Sequence, residues 1–139
     1  MKLKEASRSQ KPDRSTGPLP SVLLVDEDAS DLKTFSVLFE QEGYAVQTCG
    51  TLADALTRLE SEVFNFIVVS QGGPAFESRS VLKRAIEIDR RVPVLVLARS
   101  HDIRCYLEAI QLGALDYFEK LLPPHELLRV VKSHLRARN

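Results

Sequence analysis

From Ser21 onward the chain alternates five short apolar runs with longer stretches of helical periodicity, and this alternation constrains the fold more than any single residue does. Val22-Leu23-Leu24-Val25, Phe64 to Val69 and Val94 to Leu97 are almost unbroken apolar runs, as strands covered on both faces require; Tyr44 to Thr48 and Leu115 to Phe118 are briefer ones. Between them, Asp28 to Glu42 carries Leu32, Phe35, Leu38 and Phe39 on one helical stripe and stops at Gly43. Thr51, with Asp54 three residues on, is a capping pattern that opens a second helix whose buried face is Leu52, Ala55, Leu56 and Leu59. A third helix turns Val81, Leu82, Ala85 and Ile86 inward. A fourth, capped by Ser100 or Asp102, is expected to turn Ile103, Leu107 and Ile110 inward before Gly113. Pro123-Pro124 starts the last, with Leu127, Leu128, Val131 and Leu135 toward the core and Arg129, Lys132, Arg136 and Arg138 toward solvent.

Five strands alternating with five helices across short loops specify an α/β, doubly wound parallel sheet, because right-handed crossovers put helices on both faces. With 139 residues and 44% apolar content the chain builds one core, and residues 21–139 are read as one domain. Residues 1–20 hold five basic and two acidic residues and almost nothing apolar, so they are expected to be a disordered basic tail.

Several function classes fall away. The 19 basic and 19 acidic residues balance, which gives the whole chain no polyelectrolyte attraction to nucleic acid; the basic residues of the last helix complement its dipole. No long apolar run or signal-type N-terminus is present, so a cytoplasmic protein with no membrane partner is expected. Cys49 and Cys105 are too few and too separate for a disulfide framework or a zinc site. His101 and Cys105 would share a helix face but lack further ligands. The turn Asp26-Glu27-Asp28-Ala29-Ser30 is acidic and lacks the glycines that admit a nucleotide phosphate to a helix N-terminus.

In a sheet of this kind sites form at the carboxyl ends of the strands. Strand one ends in Asp26-Glu27-Asp28, strand three in Ser70, strand four in Ala98-Arg99 and strand five in Glu119-Lys120, with Gly113-Ala114-Leu115-Asp116-Tyr117 before it. In order and spacing this resembles the receiver domain of two-component response regulators over nearly all of residues 21–137. The resemblance implies a flavodoxin-like, five-stranded sheet of order 2-1-3-4-5. It also implies that Asp26 and Glu27 are the pair that holds Mg²⁺, that Ser70 stands where a carboxylate accepts a phosphoryl group, and that Ala98, Tyr117 and Lys120 are the switch positions.

Two of those positions depart from the pattern. Ser70 cannot form an acyl phosphate and has no activating base in Gln71-Gly72-Gly73-Pro74, and Ala98 has no hydroxyl for a phosphoryl oxygen. Both missing groups act only when a phosphoryl group is present. A third departure is Leu121 after Lys120, where the family has a proline that commonly sits in a cis peptide; a trans bond is expected here. Asp26 and Glu27 keep two readings: a charge cluster neutralised by Lys120, or weak Mg²⁺ binding. Tyr117 likewise either presents its ring to a partner or packs statically.

The expected function is therefore an atypical receiver domain, not an enzyme and without a resident cofactor. It acts as a phosphorylation-independent interaction module for a histidine kinase, an output protein or a second copy. Contacts are expected on the face of helix four, strand five and helix five, from Arg104, Glu108, Tyr117, Glu119 and Arg129. The alternative is a Mg²⁺-dependent phosphoryl acceptor that uses Ser70, the displaced carboxylate of Asp28, or Ser70 as the target of a serine kinase.

Overall fold

The computed structural model describes residues 19–137. The tail expected over residues 1–20 falls, for 1–18, outside the described residues, as do Arg138 and the side chain of Arg136. The elements, in chain order, are β1 (Ser21–Val25), α1 (Ala29–Gln41), β2 (Ala45–Cys49), α2 (Leu52–Ser61), β3 (Phe66–Ser70), α3 (Arg79–Ile88), β4 (Val94–Ala98), α4 (Ile103–Leu112), β5 (Asp116–Glu119) and α5 (Pro124–Ala137). All strand pairs are parallel and the sheet order is β2-β1-β3-β4-β5. Among the described residues no helix is long and apolar enough to cross a membrane.

The pleat divides the core in two. Leu23, Val25, Ile67, Val69, Val94 and Val96 face the layer of α2, α3 and α4, where Ala55, Leu59, Val81, Leu82 and Ala109 meet them. Val22, Leu24, Phe66, Val68, Leu95 and Leu97 face α1 and α5, against Phe35, Phe39, Leu127 and Val131. Every residue of β3 and β4 is buried, which is why those strands read as continuous apolar runs. Register matters for the site: Val25 pairs with Val69, Ser70 with Leu97 and Ala98 with Glu119, so Asp26, Ser70, Ala98 and Lys120 leave the sheet along one edge.

Helix ends follow their capping chemistry. Asp28 caps α1 by accepting from the amides of Ser30 and Asp31, Thr51 caps α2 by accepting from Asp54 at 3.1 Å, and Asp102, not Ser100, caps α4. Gly113 ends α4 at φ 109°, where a Cβ would meet Ile86 Cδ1 at 3.3 Å.

The inward face of α4 differs from expectation. Cys105 and Ala109 are buried, whereas Ile103, Leu107 and Ile110 are 59%, 50% and 39% exposed. Small side chains let α4 lie close on the sheet, and the larger apolar stripe is turned to solvent; periodicity defined the stripe but not the direction it faces. His101 lies before the helix, so the shared helix face with Cys105 does not form. No peptide bond among the described residues is cis, in keeping with the trans bond expected after Lys120.

Candidate functional site at the strand ends

The residue after β1, Asp26, continues the ladder by donating its amide to Cys49 O at 3.0 Å, which sets its carboxylate at the edge of the sheet. Asp26 Oδ1 accepts from the Asp28 amide at 2.9 Å, and Oδ2 lies 2.7 Å from Lys120 Nζ. Lys120 is itself anchored by donating its amide to Ala98 O at 2.7 Å, and its ammonium also reaches Asp31 Oδ2, in the first turn of α1, at 3.1 Å. Burial raises the Asp26 carboxyl above its ordinary range, against the lowering pull of the Lys120 hydrogen bond. Burial would lower the Lys120 ammonium, but its bonds to Asp26 and Asp31 outweigh that and raise it.

Asp28 is equally committed. Its Oδ1 accepts from the amides of Ser30 and Asp31 at 2.9 and 3.0 Å, and its Oδ2 accepts from Arg99 at 3.2 Å. The backbone bond from Asp31 and the bond from Arg99 hold its carboxyl below the usual value. Both oxygens thus serve the α1 cap and the Arg99 pair, and use of Asp28 as a displaced acceptor would break those bonds.

Ser70 ends β3 and is 6% exposed. Over it lies a cleft of about 270 Å³ whose walls include Asp26, Glu27, Thr51, Ser70, Gly73 and Glu77, and no lysine, arginine or histidine is among its lining residues. Three carboxylates and no cation make this cleft hostile to a phosphoryl dianion. Because Ser70 is buried, the end of β3 would have to open before a serine kinase could reach its hydroxyl. A larger open groove of about 730 Å³ between α2 and α3 touches neither Ser70 nor Lys120.

Ala98 is buried in the core. Tyr117, on β5, is 3% exposed, so the reading in which it offers its ring to a partner is corrected in favour of static packing. Its hydroxyl donates to Gln71 Oε1 and accepts from the Asp102 amide at 3.3 Å. Its ring meets His101 edge-on at 5.2 Å and Tyr106 at 5.9 Å. Of the other expected contacts, Arg104, Glu119 and Arg129 are exposed, whereas Glu108 is held by Arg79 through two hydrogen bonds that join α3 to α4.

The donor set for Mg²⁺ is incomplete. This ion takes hard oxygens at near-octahedral geometry, usually with one or two carboxylates. Here both oxygens of Asp26 are engaged, Glu27 is exposed, Ser70 supplies no carboxylate, and among the described residues no group of three acidic, histidine or cysteine side chains is arranged to hold a metal.

Three residues escaped the sequence reading. Asp31 pairs with Lys120 across 89 positions, Glu77 closes onto the Gly73 amide at the cleft wall, and Gln71 holds Tyr117. Asp31 carried one usable signal, an acidic side chain in the first turn of a helix that starts at the strand edge. Glu77 and Gln71 carried none.

The family model for the response regulator receiver domain matches residues 22–132. The alginate biosynthesis transcriptional regulatory protein AlgB of Pseudomonas putida is 30% identical over 117 residues, covering 84% of this chain and 26% of that protein. The C4-dicarboxylate transport transcriptional regulatory protein DctD of Rhizobium meliloti is 26% identical over 118 residues, covering 85% of this chain and 25% of that protein. This chain thus spans about a quarter of the length of those relatives. Among solved structures, a CheY-like response regulator receiver domain protein from Methanospirillum hungatei superposes with a TM-score of 0.80 at 25% identity, covering 86% of this chain and 95% of that one. The chain belongs to the response regulator receiver domain family, the signalling modules of two-component systems.

Proposed function

We propose that this receiver domain signals without phosphoryl transfer, as an interaction module that offers its α4–β5–α5 face to a protein partner: a histidine kinase, an output protein or a second copy of the chain. The observation that carries this reading is the cleft over Ser70, lined by Asp26, Glu27 and Glu77 and by no cation, while Lys120 is spent on Asp26 and Asp31. A phosphoryl group there would lack an acyl acceptor, a hydroxyl from position 98 and a neutralising charge. The exposed stripe of Ile103, Leu107 and Ile110 on α4, with exposed Leu121 after β5, supplies the apolar centre that a docking face needs, and Arg104, Glu119 and Arg129 supply a charged rim.

The test is incubation with a small phosphodonor and Mg²⁺, read by intact mass. The expected spectrum is that of the unmodified chain. A labile adduct of one phosphate overturns the reading. Beryllofluoride with Mg²⁺, followed by amide NMR, is expected to leave Tyr117 and α5 unmoved.

A further inference from the structure

We infer that Gln71 is a positioning residue for α4: through Tyr117 it clasps the first turn of that helix to the β3–α3 loop and fixes the exposed apolar stripe in one place without any bound group. The use of that stripe for docking rests on the function proposed above; the clasp does not.

Gln71 is buried next to Ser70, and every polar group it owns is committed. Its amide donates to Leu97 O at 2.7 Å, and its carbonyl accepts from Ser78 N at 3.2 Å and Ser78 Oγ at 3.1 Å. Its side-chain Nε2 donates to Gly73 O at 2.9 Å. That bond decides which end of the amide faces Tyr117, because a carbonyl accepts only from the nitrogen, and Oε1 is left to take the Tyr117 hydroxyl.

Tyr117 relays the link. Its hydroxyl, having donated to Gln71, accepts from the Asp102 amide, and the Asp102 carboxylate in turn accepts from the amides of Arg104 at 2.9 Å and Cys105 at 3.3 Å. One chain of hydrogen bonds therefore runs from the loop after β3, through β5, into the first turn of α4. Cys105 Sγ adds a weak contact to Pro74 O at 3.8 Å, and His101 and Tyr106 close over the Tyr117 ring.

All members of this chain are covalent parts of the protein. Moving Tyr117 outward would take from the buried Gln71 oxygen its hydrogen-bond donor, which costs free energy. The side chain at position 71 thus anchors the first turn of α4, beside the burial of Cys105 and Ala109 and the Arg79–Glu108 pair.

Amide hydrogen exchange and ring NOEs measured on the full chain test this. In the wild type, Tyr117 is expected to show NOEs to His101 and Tyr106 and the Asp102 amide to be protected. Gln71→Leu should weaken those NOEs and speed exchange at Asp102, Arg104 and Cys105 by roughly tenfold, the scale of one lost hydrogen bond, with β1 and β3 amides unchanged. Unchanged NOEs and exchange in Gln71→Leu overturn the clasp. Should that variant loosen β1 and β3 as well, Tyr117→Phe decides, since it keeps the ring and removes only the hydroxyl that Gln71 accepts from: weakened NOEs from the Phe ring to His101 and Tyr106 support the clasp, and unchanged NOEs overturn it. A phosphate adduct with an intact clasp would overturn the proposed function alone, and a failed clasp without an adduct would overturn this inference alone.

Discussion

Lys120 Nζ lies 2.7 Å from Asp26 Oδ2, and the two side chains are only 10% and 7% exposed. A pair this enclosed gives a strong response when one partner is removed, because the other charge stays buried and unpaired. Lys120→Met is therefore expected to destabilise the domain by about 3 kcal/mol in denaturant unfolding, whereas the double variant Lys120→Met, Asp26→Asn should recover a large part of the loss. If the single variant costs nothing, the charge cluster does not hold the strand ends.

The same pair predicts an alkaline limb in stability. Lys120 is raised above its ordinary 10.5 because Asp26 and Asp31 outweigh the lowering effect of burial. The folded ammonium then keeps its proton at a pH where the unfolded one has lost it. Its contribution is fully present below 10.5 and is lost as pH climbs through the folded value. Tyr117, raised mainly by burial, acts with the same sign above its ordinary 10.0. Thermal melts between pH 9 and pH 12 should show stability falling, and Lys120→Met should flatten the fall without abolishing it. An identical alkaline limb in wild type and variant would sink this assignment.

Restoring a carboxylate at position 70 should make the domain metal-responsive. Ser70→Asp adds a further negative group beside Asp26, Glu27 and Glu77, so in chelator it is expected to lower stability by about 2 kcal/mol. Mg²⁺ should then return part of that loss, about 1.4 kcal/mol at ten times its Kd. The wild-type melting temperature should not move with Mg²⁺; a shift there as large as in Ser70→Asp would contradict the donor-set argument.

What the sequence disclosed, and what it hid, follows from the range of the interactions. Strands β3 and β4 were legible because a strand buried on both faces must be apolar throughout, and the α2 cap because Thr51 acts on an amide three residues on. The strand-end cluster was half legible: Asp26 and Lys120 were named, but Asp31 joins them only because β5 and α1 meet at one edge of the sheet. Gln71 looked like a loop residue until the fold set it under Tyr117. The facing of α4 was misread because its apolar stripe and its small-residue stripe have the same period, and nothing local says which one a sheet receives.

That misread stripe yields a prediction in which stability and association part company. Leu107 is half exposed, so Leu107→Arg should alter folding stability by no more than about 0.5 kcal/mol. Ala109, fully buried against the sheet on the other side of the same helix, should tolerate no enlargement, and Ala109→Leu should cost about 1 to 3 kcal/mol through overpacking. Where the partner is a second copy, equilibrium sedimentation should show the wild type associating as its concentration rises and Leu107→Arg remaining monomeric at the same concentrations, because a buried unpaired guanidinium at the centre of an apolar contact opposes closure. A Leu107→Arg domain that unfolds early would mean that the stripe packs inward after all, and one that associates like the wild type would remove α4 from the docking face.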